Sequence, residues 1–320
     1  MNYTLEEKKS LAARFLELRT VPGFLLLMDI SLPYLKGMVR HPLYKVWQIT
    51  NKKGKKRNLC EPSWYLKLKQ KQLNTYLNAV YFDIIPESTY GFIRKPVDGT
   101  ERRDFLINAA QHCGRPFVIN ADIRNFFDSI QPRQVRDVFL KAPFHFDEEL
   151  ASAIAFFCLN RRTLPTGSPT SPILSNFIML EVDRQLQALA SQYQYTYTRY
   201  ADDLTFSGEE RPPAEFKRQL TAILSTHGFR LNQRKYRVLS RFGRQTVTGI
   251  VVNEKPNVNR KYKKEVRAMR YDWKTYGAEV AARNHYKNPD IDDNQVERFK
   301  RTVEAREQYI RQVETLNRKK

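Results

Sequence analysis

Two adjacent acids, Asp202 and Asp203, close the tetrapeptide Tyr200-Ala201-Asp202-Asp203, between Tyr195-Thr196-Tyr197-Thr198-Arg199 and Leu204-Thr205-Phe206-Ser207. Thr, Tyr and Phe suit a pleated surface, so the flanks read as two strands and the acids as the tip of a β-hairpin. Neighbouring carboxylates repel and raise one another's pKa unless a cation neutralises them, and Mg²⁺ is a hard ion that takes oxygen ligands. By itself the dipeptide is more simply a solvated turn. A third acid changes that reading. Asp122 ends the apolar run Phe117-Val118-Ile119-Asn120-Ala121, eighty positions before Asp202, where a carboxylate buried alone would be costly. Set beside the hairpin tip, it completes a three-carboxylate site for two divalent ions about 3.5 to 4 Å apart. That arrangement activates an attacking hydroxyl and stabilises a leaving pyrophosphate.

The elements that must position these acids are embedded in a strongly basic chain. Its 320 residues carry 55 Lys plus Arg against 34 Asp plus Glu, a net charge of +21, which calls for a polyanionic partner. The bases are spread along the chain, as in Lys52-Lys53-Gly54-Lys55-Lys56-Arg57 and Arg260-Lys261-Tyr262-Lys263-Lys264, a distribution that fits nucleic acid better than a membrane. Cys60, Cys113 and Cys158 form neither a CxxC pair nor an even disulfide set, so buried free thiols in a reducing cytoplasm are expected. The apolar stretch Phe24-Leu25-Leu26-Leu27-Met28 is too short to span a bilayer, and residues 1–19 lack a signal-peptide core.

Periodicity predicts an N-terminal amphipathic helix over about 5–18, a basic hairpin over 44–62 and a helix from Trp64, with Ser63 as its N-cap. Residues 118–123 and 247–252 read as buried strands. Beyond Pro256 the chain reads as helical and highly charged. Asn288-Pro289-Asp290 breaks it before a last helix over 295–316 with the apolar stripe Val296, Phe299, Val303, Ile310 and Val313. No HExxH motif, Walker loop, Cys-rich zinc site or Ser-His-Asp arrangement competes with the carboxylates.

In this order the chain resembles the reverse transcriptases, and within them the bacterial retron enzymes. Arg57 to Pro62 is similar to the first fingers motif and Phe117 to Phe127 to the first palm motif. Leu164-Pro165-Thr166-Gly167-Ser168-Pro169-Thr170-Ser171-Pro172-Ile173-Leu174-Ser175-Asn176 is similar to the template- and nucleotide-positioning motif, and Tyr200 to Asp203 to the YxDD box. Asn108-Ala109-Ala110-Gln111-His112 resembles the retron NAxxH signature and Val247-Thr248-Gly249 the retron VTG signature. The resemblance implies an α+β right-hand polymerase fold. Its parts would be an N-terminal helical extension over 1–40, fingers over 41–115 with part of 130–165, an antiparallel-sheet palm over 116–252 and a helical thumb over 253–320.

It implies, too, that Asp122, Asp202, Asp203 and the Ile123 carbonyl hold two Mg²⁺ ions, with Mn²⁺ as a substitute, and that Lys235 assists pyrophosphate departure. Phe127, next to Phe126 in the nucleotide pocket, stands where the family places the ring that excludes a ribose hydroxyl, core packing being the alternative. Arg57 and Arg94 are candidates for the triphosphate, or else solvated charges. Thr166 and Gly167 fall beside the nucleotide, although many relatives carry Gln where Thr166 stands. His112 is either an RNA contact, which is the expectation, or a satisfied core histidine. Arg260, Lys261, Lys263, Lys264, Arg267 and Arg270 are expected to dock RNA, a solvated basic face being the alternative.

The implied activity is RNA-templated DNA synthesis from deoxynucleoside triphosphates. The enzyme would act on its own structured noncoding RNA, starting from a guanosine 2′-hydroxyl and yielding branched RNA-linked DNA, in anti-phage defence beside an effector protein. The rival readings are a group II intron-like or diversity-generating reverse transcriptase and a noncatalytic RNA-binding protein on the same scaffold.

Overall fold

The computed structural model describes residues 3–40, 43–50, 54, 56–93 and 103–316. The chain opens with α1 (Leu5–Leu16), α2 (Val21–Met28) and α3 (Leu32–Arg40), then a hairpin of β1 (Tyr44–Thr50) and β2 (Lys56–Pro62), then α4 (Trp64–Phe82). Thr4 starts α1 with a capping box, its hydroxyl accepting from the amide of Glu7 while Glu7 reaches back to Thr4. Ser63 stands at the N-cap of α4 but makes no capping bond through its side chain. Next come α5 (Phe105–Ala110), β3 (Phe117–Asp122), α6 (Phe126–Ser129), α7 (Pro132–Leu140), α8 (Glu148–Cys158) and α9 (Ser171–Gln192). After them follow β4 (Thr196–Tyr200), β5 (Asp203–Gly208), α10 (Ala214–Thr226), β6 (Arg237–Ser240), β7 (Thr246–Val247), β8 (Ile250–Val251), α11 (Arg260–Tyr286) and α12 (Asp293–Thr315).

Strands β4, β5, β3 and β6 pair in that order as an antiparallel sheet. Successive side chains of a strand point to opposite faces, and β3 is covered on both. Ile119 and Ala121 join the large core shared with Leu204 and Phe206 of β5, Leu186 of α9 and Phe216 of α10. Val118 faces the other way, into a smaller cluster with Leu106 of α5, Val247, Ile250 and Val313 of α12. Asp122 has the parity of Val118. The acid-bearing end of the sheet therefore opens on the side of α5 and the β7–β8 hairpin.

Residues 247–252 are not one buried strand. Val247 pairs with Ile250, and Thr248 and Gly249, at φ 46° and 86°, make the two-residue turn between β7 and β8. Positive φ at both central positions matches the right-handed twist of a hairpin, which a straight strand reading of Val-Thr-Gly overlooks. The two C-terminal helices pack together through Met269, Ala281, Ala282, Phe299 and Val303. Gly277, at φ 82°, kinks α11 where periodicity alone shows continuous helix.

Candidate active site

The hairpin foreseen around the paired acids is present. Tyr200 pairs with Asp203, so Ala201 and Asp202 form the turn, with Ala201 at φ 58°. In the adjoining ladder Asp122 is the cross-strand partner of Asp203. Directly opposed residues of an antiparallel pair lie on one face with Cβ atoms about 4.5 to 5.5 Å apart, so two of the three acids are neighbours by register alone. The third is tied in by backbone, since the Ile123 amide donates to the Asp202 carbonyl at 3.0 Å.

Asp122 is buried, 4% exposed, and both of its oxygens are engaged: Asn232 Nδ2 donates to Oδ1 at 2.8 Å and Lys235 Nζ is ion-paired to Oδ2. The Asn232 amide also donates to the Asp122 carbonyl at 2.8 Å, so the 231–236 turn is clamped to the end of β3. Lys235 loses hydration there, which lowers its pKa, but the bond to Asp122 and the charges of Asp202 and Asp203 outweigh that loss and hold it above its ordinary value. The Asp203 side chain still reaches solvent. Packed protein nevertheless strips part of its hydration and, with the negative charges of Asp202 and Asp122, pushes it up to about 6, against the opposing pull of Lys235.

This donor set suits a hard divalent ion, being carboxylate oxygen whose mutual repulsion a cation would relieve. Among the described residues no three acidic, His or Cys side chains converge closely enough to hold one. The Asp122 carboxylate is turned onto Lys235 and Asn232.

Behind the hairpin stands His112, which is fully buried. Its Nδ1 lies 2.7 Å from Ser207 Oγ on β5 and its Nε2 2.7 Å from Thr198 Oγ1 on β4. Burial, reinforced by Arg115, depresses its pKa to about 3, so the ring is neutral. His112 is therefore a buttress of the acid-bearing hairpin and not an RNA contact, because both ring nitrogens are spent and no face reaches solvent.

The expected nucleotide contacts divide. Phe127 is half-buried, with ring centroids 5.4 Å from Phe126 and 6.1 Å from Phe92. Phe126 is 4% exposed and packs on Phe229, which makes it core and not pocket lining. Gly167 admits a close approach, but of the chain's own β2: a Cβ there would lie 2.5 Å from the Cys60 carbonyl, to which the Gly167 amide donates at 3.0 Å. Exposed Thr166 donates to the Asn58 carbonyl at 3.2 Å, so this loop is fastened to the first hairpin. The backbone of Arg57 lies in β2 opposite Ile49, its side chain falls outside the described residues, and Arg94 lies outside them altogether.

Of the six basic candidates on α11, Arg260, Lys261, Lys264 and Arg267 are exposed or partly so. Lys263 and Arg270 are already engaged within the protein. Lys263 is paired with Glu314 at 2.7 Å, and Arg270 makes a two-pronged bond to Glu307 at 2.8 and 2.7 Å while stacking over Trp273. Both side chains join α11 to α12.

Sequence reasoning missed a buried network beneath the acid turn. Arg199, 0% exposed, bonds Asp183 of α9 through Nε and Nη2, and its Nη1 donates to Asn176 Oδ1 at 3.0 Å and to the Ala201 carbonyl at 3.3 Å. The signal available was an arginine inside the Thr- and Tyr-rich strand β4, with Asp183 on the helix that precedes it in the chain.

An antiparallel sheet with acids at one end, helices packed on its core face, a basic hairpin before it and a long helical pair after it define the right-hand polymerase fold. The family described as reverse transcriptase (RNA-dependent DNA polymerase) matches residues 49–271. The chain is 33% identical over 248 residues to the retron Mx65 reverse transcriptase of Myxococcus xanthus, covering 72% of this chain and 56% of that one. It is 30% identical over 227 residues to the retron Ec73 reverse transcriptase of Escherichia coli, covering 65% and 68%. The chain belongs to the reverse transcriptase family, on its retron branch. It spans about half the length of the Myxococcus xanthus relatives, 56% of Mx65 and 47% of Mx162. A solved telomerase of Candida albicans with a fragment of telomeric RNA overlays 74% of this chain and 51% of its own at 11% identity, with a TM-score of 0.48, too loose a likeness to carry an argument. Among the described residues no helix is long and apolar enough to cross a membrane.

Proposed function

We propose that the chain is an RNA-directed DNA polymerase of a retron. The observation that carries this reading is the register that sets Asp122 opposite Asp203, beside the Asp202 turn. Asp122, Asp202 and Asp203, with the Ile123 carbonyl, would hold two Mg²⁺ ions, or Mn²⁺ in their place. Ions held there would supply the chemistry of lowering the pKa of a primer hydroxyl and neutralising charge on the α-phosphate and pyrophosphate. The chain's own part is positioning and proton donation. The sheet fixes the acids, Asn232 orients Asp122, and Lys235, paired to Asp122 beside the acid cluster, would donate a proton to the leaving pyrophosphate. Phe127 sits five residues beyond Asp122, where its half-buried ring would face the sugar and reject a 2′-hydroxyl.

The substrates would be deoxynucleoside triphosphates and a structured noncoding RNA, docked in part on the exposed bases of α11. Relatives named as retron reverse transcriptases support the retron assignment, and on that assignment the chain would start from an internal guanosine 2′-hydroxyl, yield branched RNA-linked DNA and serve in phage defence beside an effector protein in the cytoplasm. The test is extension of a primed RNA template with Mg²⁺. Wild type incorporates label, whereas Asp202→Asn binds the same RNA and makes no DNA. Equal incorporation by both would remove Asp202 from the mechanism, and no incorporation by the folded, RNA-binding wild type would overturn the polymerase reading.

A further inference from the structure

Asn176 sits on the first turns of α9, fully buried, between two pieces of chain that the site needs in fixed relation. Its Nδ2 donates to the Gly91 carbonyl at 3.1 Å, and its Oδ1 accepts from Arg199 Nη1 at 3.0 Å. Only one orientation of the amide satisfies a carbonyl on one side and a guanidinium on the other, so the side chain is locked. On the Arg199 side the link continues to the carbonyl of Ala201 in the acid turn. On the Gly91 side it continues along a segment stitched to β4: the Arg199 amide donates to the Ser88 carbonyl at 2.7 Å and the Tyr90 amide to the Arg199 carbonyl at 2.9 Å.

Gly91 lies flat against the acid turn, since a Cβ there would stand 2.2 Å from the Ala201 nitrogen. The next residue, Phe92, is held at φ 61°, a conformation unfavourable for a bulky side chain, and its ring lies 6.1 Å from Phe127. Strain of that kind persists only where surrounding contacts over-determine the backbone, as the Asn176 and β4 bonds do for its neighbours.

We propose that Asn176 is a positioning residue for sugar selection: through Arg199 and Ala201 on one side, and Gly91 and Phe92 on the other, it fixes the distance between the metal-binding turn and the gating ring of Phe127. The inference rests on the gate reading of Phe127. Asn176 touches no substrate, and its influence runs through the backing that Phe92 gives the gate.

The test is single-turnover incorporation of dGTP and of GTP by the full chain on a primed RNA template, with thermal melts and primer–template affinity measured in parallel. The discrimination ratio is independent of the fraction of active protein, so a merely structural loss does not move it. Phe127→Ala is expected to lower the ratio most. Asn176→Ala and Phe92→Leu are expected to lower it about tenfold, as small displacements of reacting groups do, with primer–template affinity unchanged. Phe92 is half-buried, so Phe92→Leu is expected to fold and carries the test should Asn176→Ala fail to. If Phe127→Ala lowers the ratio but folded Asn176→Ala or Phe92→Leu does not, the positioning role is wrong and the gate stands. If Phe127→Ala leaves the ratio unchanged, the gate reading falls and takes this inference with it.

Discussion

The ammonium of Lys235 is ion-paired to the carboxylate of Asp122, half-exposed on the lysine side and buried on the acid side. A cation supplied by the chain thus occupies the oxygen that a divalent ion would take under the proposed function. Replacing Lys235 with Met removes the competitor and lowers the positive potential over the acids. Mn²⁺ binding, followed by electron paramagnetic resonance, is expected to tighten by up to about tenfold. Single-turnover incorporation at saturating metal is expected to fall about a hundredfold, the scale of a lost general acid. Unchanged metal affinity together with unchanged rate would show that the pair is ornamental.

His112 gives a pH signature. Its folded pKa is depressed to about 3 from the ordinary 6.5, so the folded ring stays neutral while the unfolded chain takes up a proton below about 6.5. The unfolded state binds more protons in that window, so stability rises with pH there. Its contribution is fully present above about 6.5 and is lost progressively as pH falls toward 3. Urea denaturation at stepped pH is expected to show this decline in wild type and a shallower one in His112→Asn. RNA affinity of the folded variant at pH 7.5 should match wild type, since the ring faces only Thr198 and Ser207.

The buried ion pair of Arg199 and Asp183 should be asymmetric under mutation. Asp183→Ala leaves a fully buried guanidinium without its carboxylate, and Tyr197, whose hydroxyl donates to the same acid at 2.8 Å, loses that partner too. Breaking a buried pair from one side costs about 3 to 5 kcal/mol. The double replacement Arg199→Met with Asp183→Leu is expected to recover much of that stability in urea titrations while leaving DNA synthesis impaired, because Ala201 in the acid turn no longer has its buried donor. Recovery of activity along with stability would mean the network serves folding alone.

These outcomes follow from what the sequence displays and what it conceals. The acid hairpin is legible because its flanks are Thr, Tyr and Phe around an Asp pair, and the helical end is legible because Val296, Phe299 and Val303 repeat at helical spacing. Arg199 is not, since an isolated arginine reads as surface and its burial depends on Asp183, which a helix brings beneath it from sixteen positions away. The roles of His112, Lys263 and Arg270 were hidden for the same reason. A charged or titratable side chain shows its type in sequence, but the partner that consumes it comes from another element. Residues 88–91 carry no periodicity at all, and only the ladder to Arg199 reveals them as an added strand edge.

Gly167 predicts a distinct defect. A methyl there collides with the Cys60 carbonyl, which is backbone and cannot swing aside. Gly167→Ala is expected to push β2 away from the loop, break the 3.0 Å bond to Cys60 and destabilise the protein by about 2 kcal/mol, the range of overpacked sites. Limited proteolysis should then cut first in the β1–β2 hairpin, with cleavage elsewhere unchanged. Wild-type protection of the hairpin in the variant would refute the contact.

The α11 bases sort into two groups with different salt behaviour. Arg260, Lys261, Lys264 and Arg267 keep their charges available to solvent, whereas Lys263 and Arg270 are held by Glu314 and Glu307. A side chain that neutralises an RNA phosphate contributes about 0.7 to the slope of log affinity against log salt for single strands, and more for duplexes. Lys264→Ala and Arg267→Ala are each expected to weaken binding and flatten that slope by up to about one unit. Lys263→Ala and Arg270→Ala should leave the slope alone and lower the melting temperature instead, Arg270 more than Lys263, because its guanidinium also stacks on Trp273 at 4.4 Å. A flattened slope in Arg270→Ala, with its melting temperature intact, would return that residue to the RNA-docking surface.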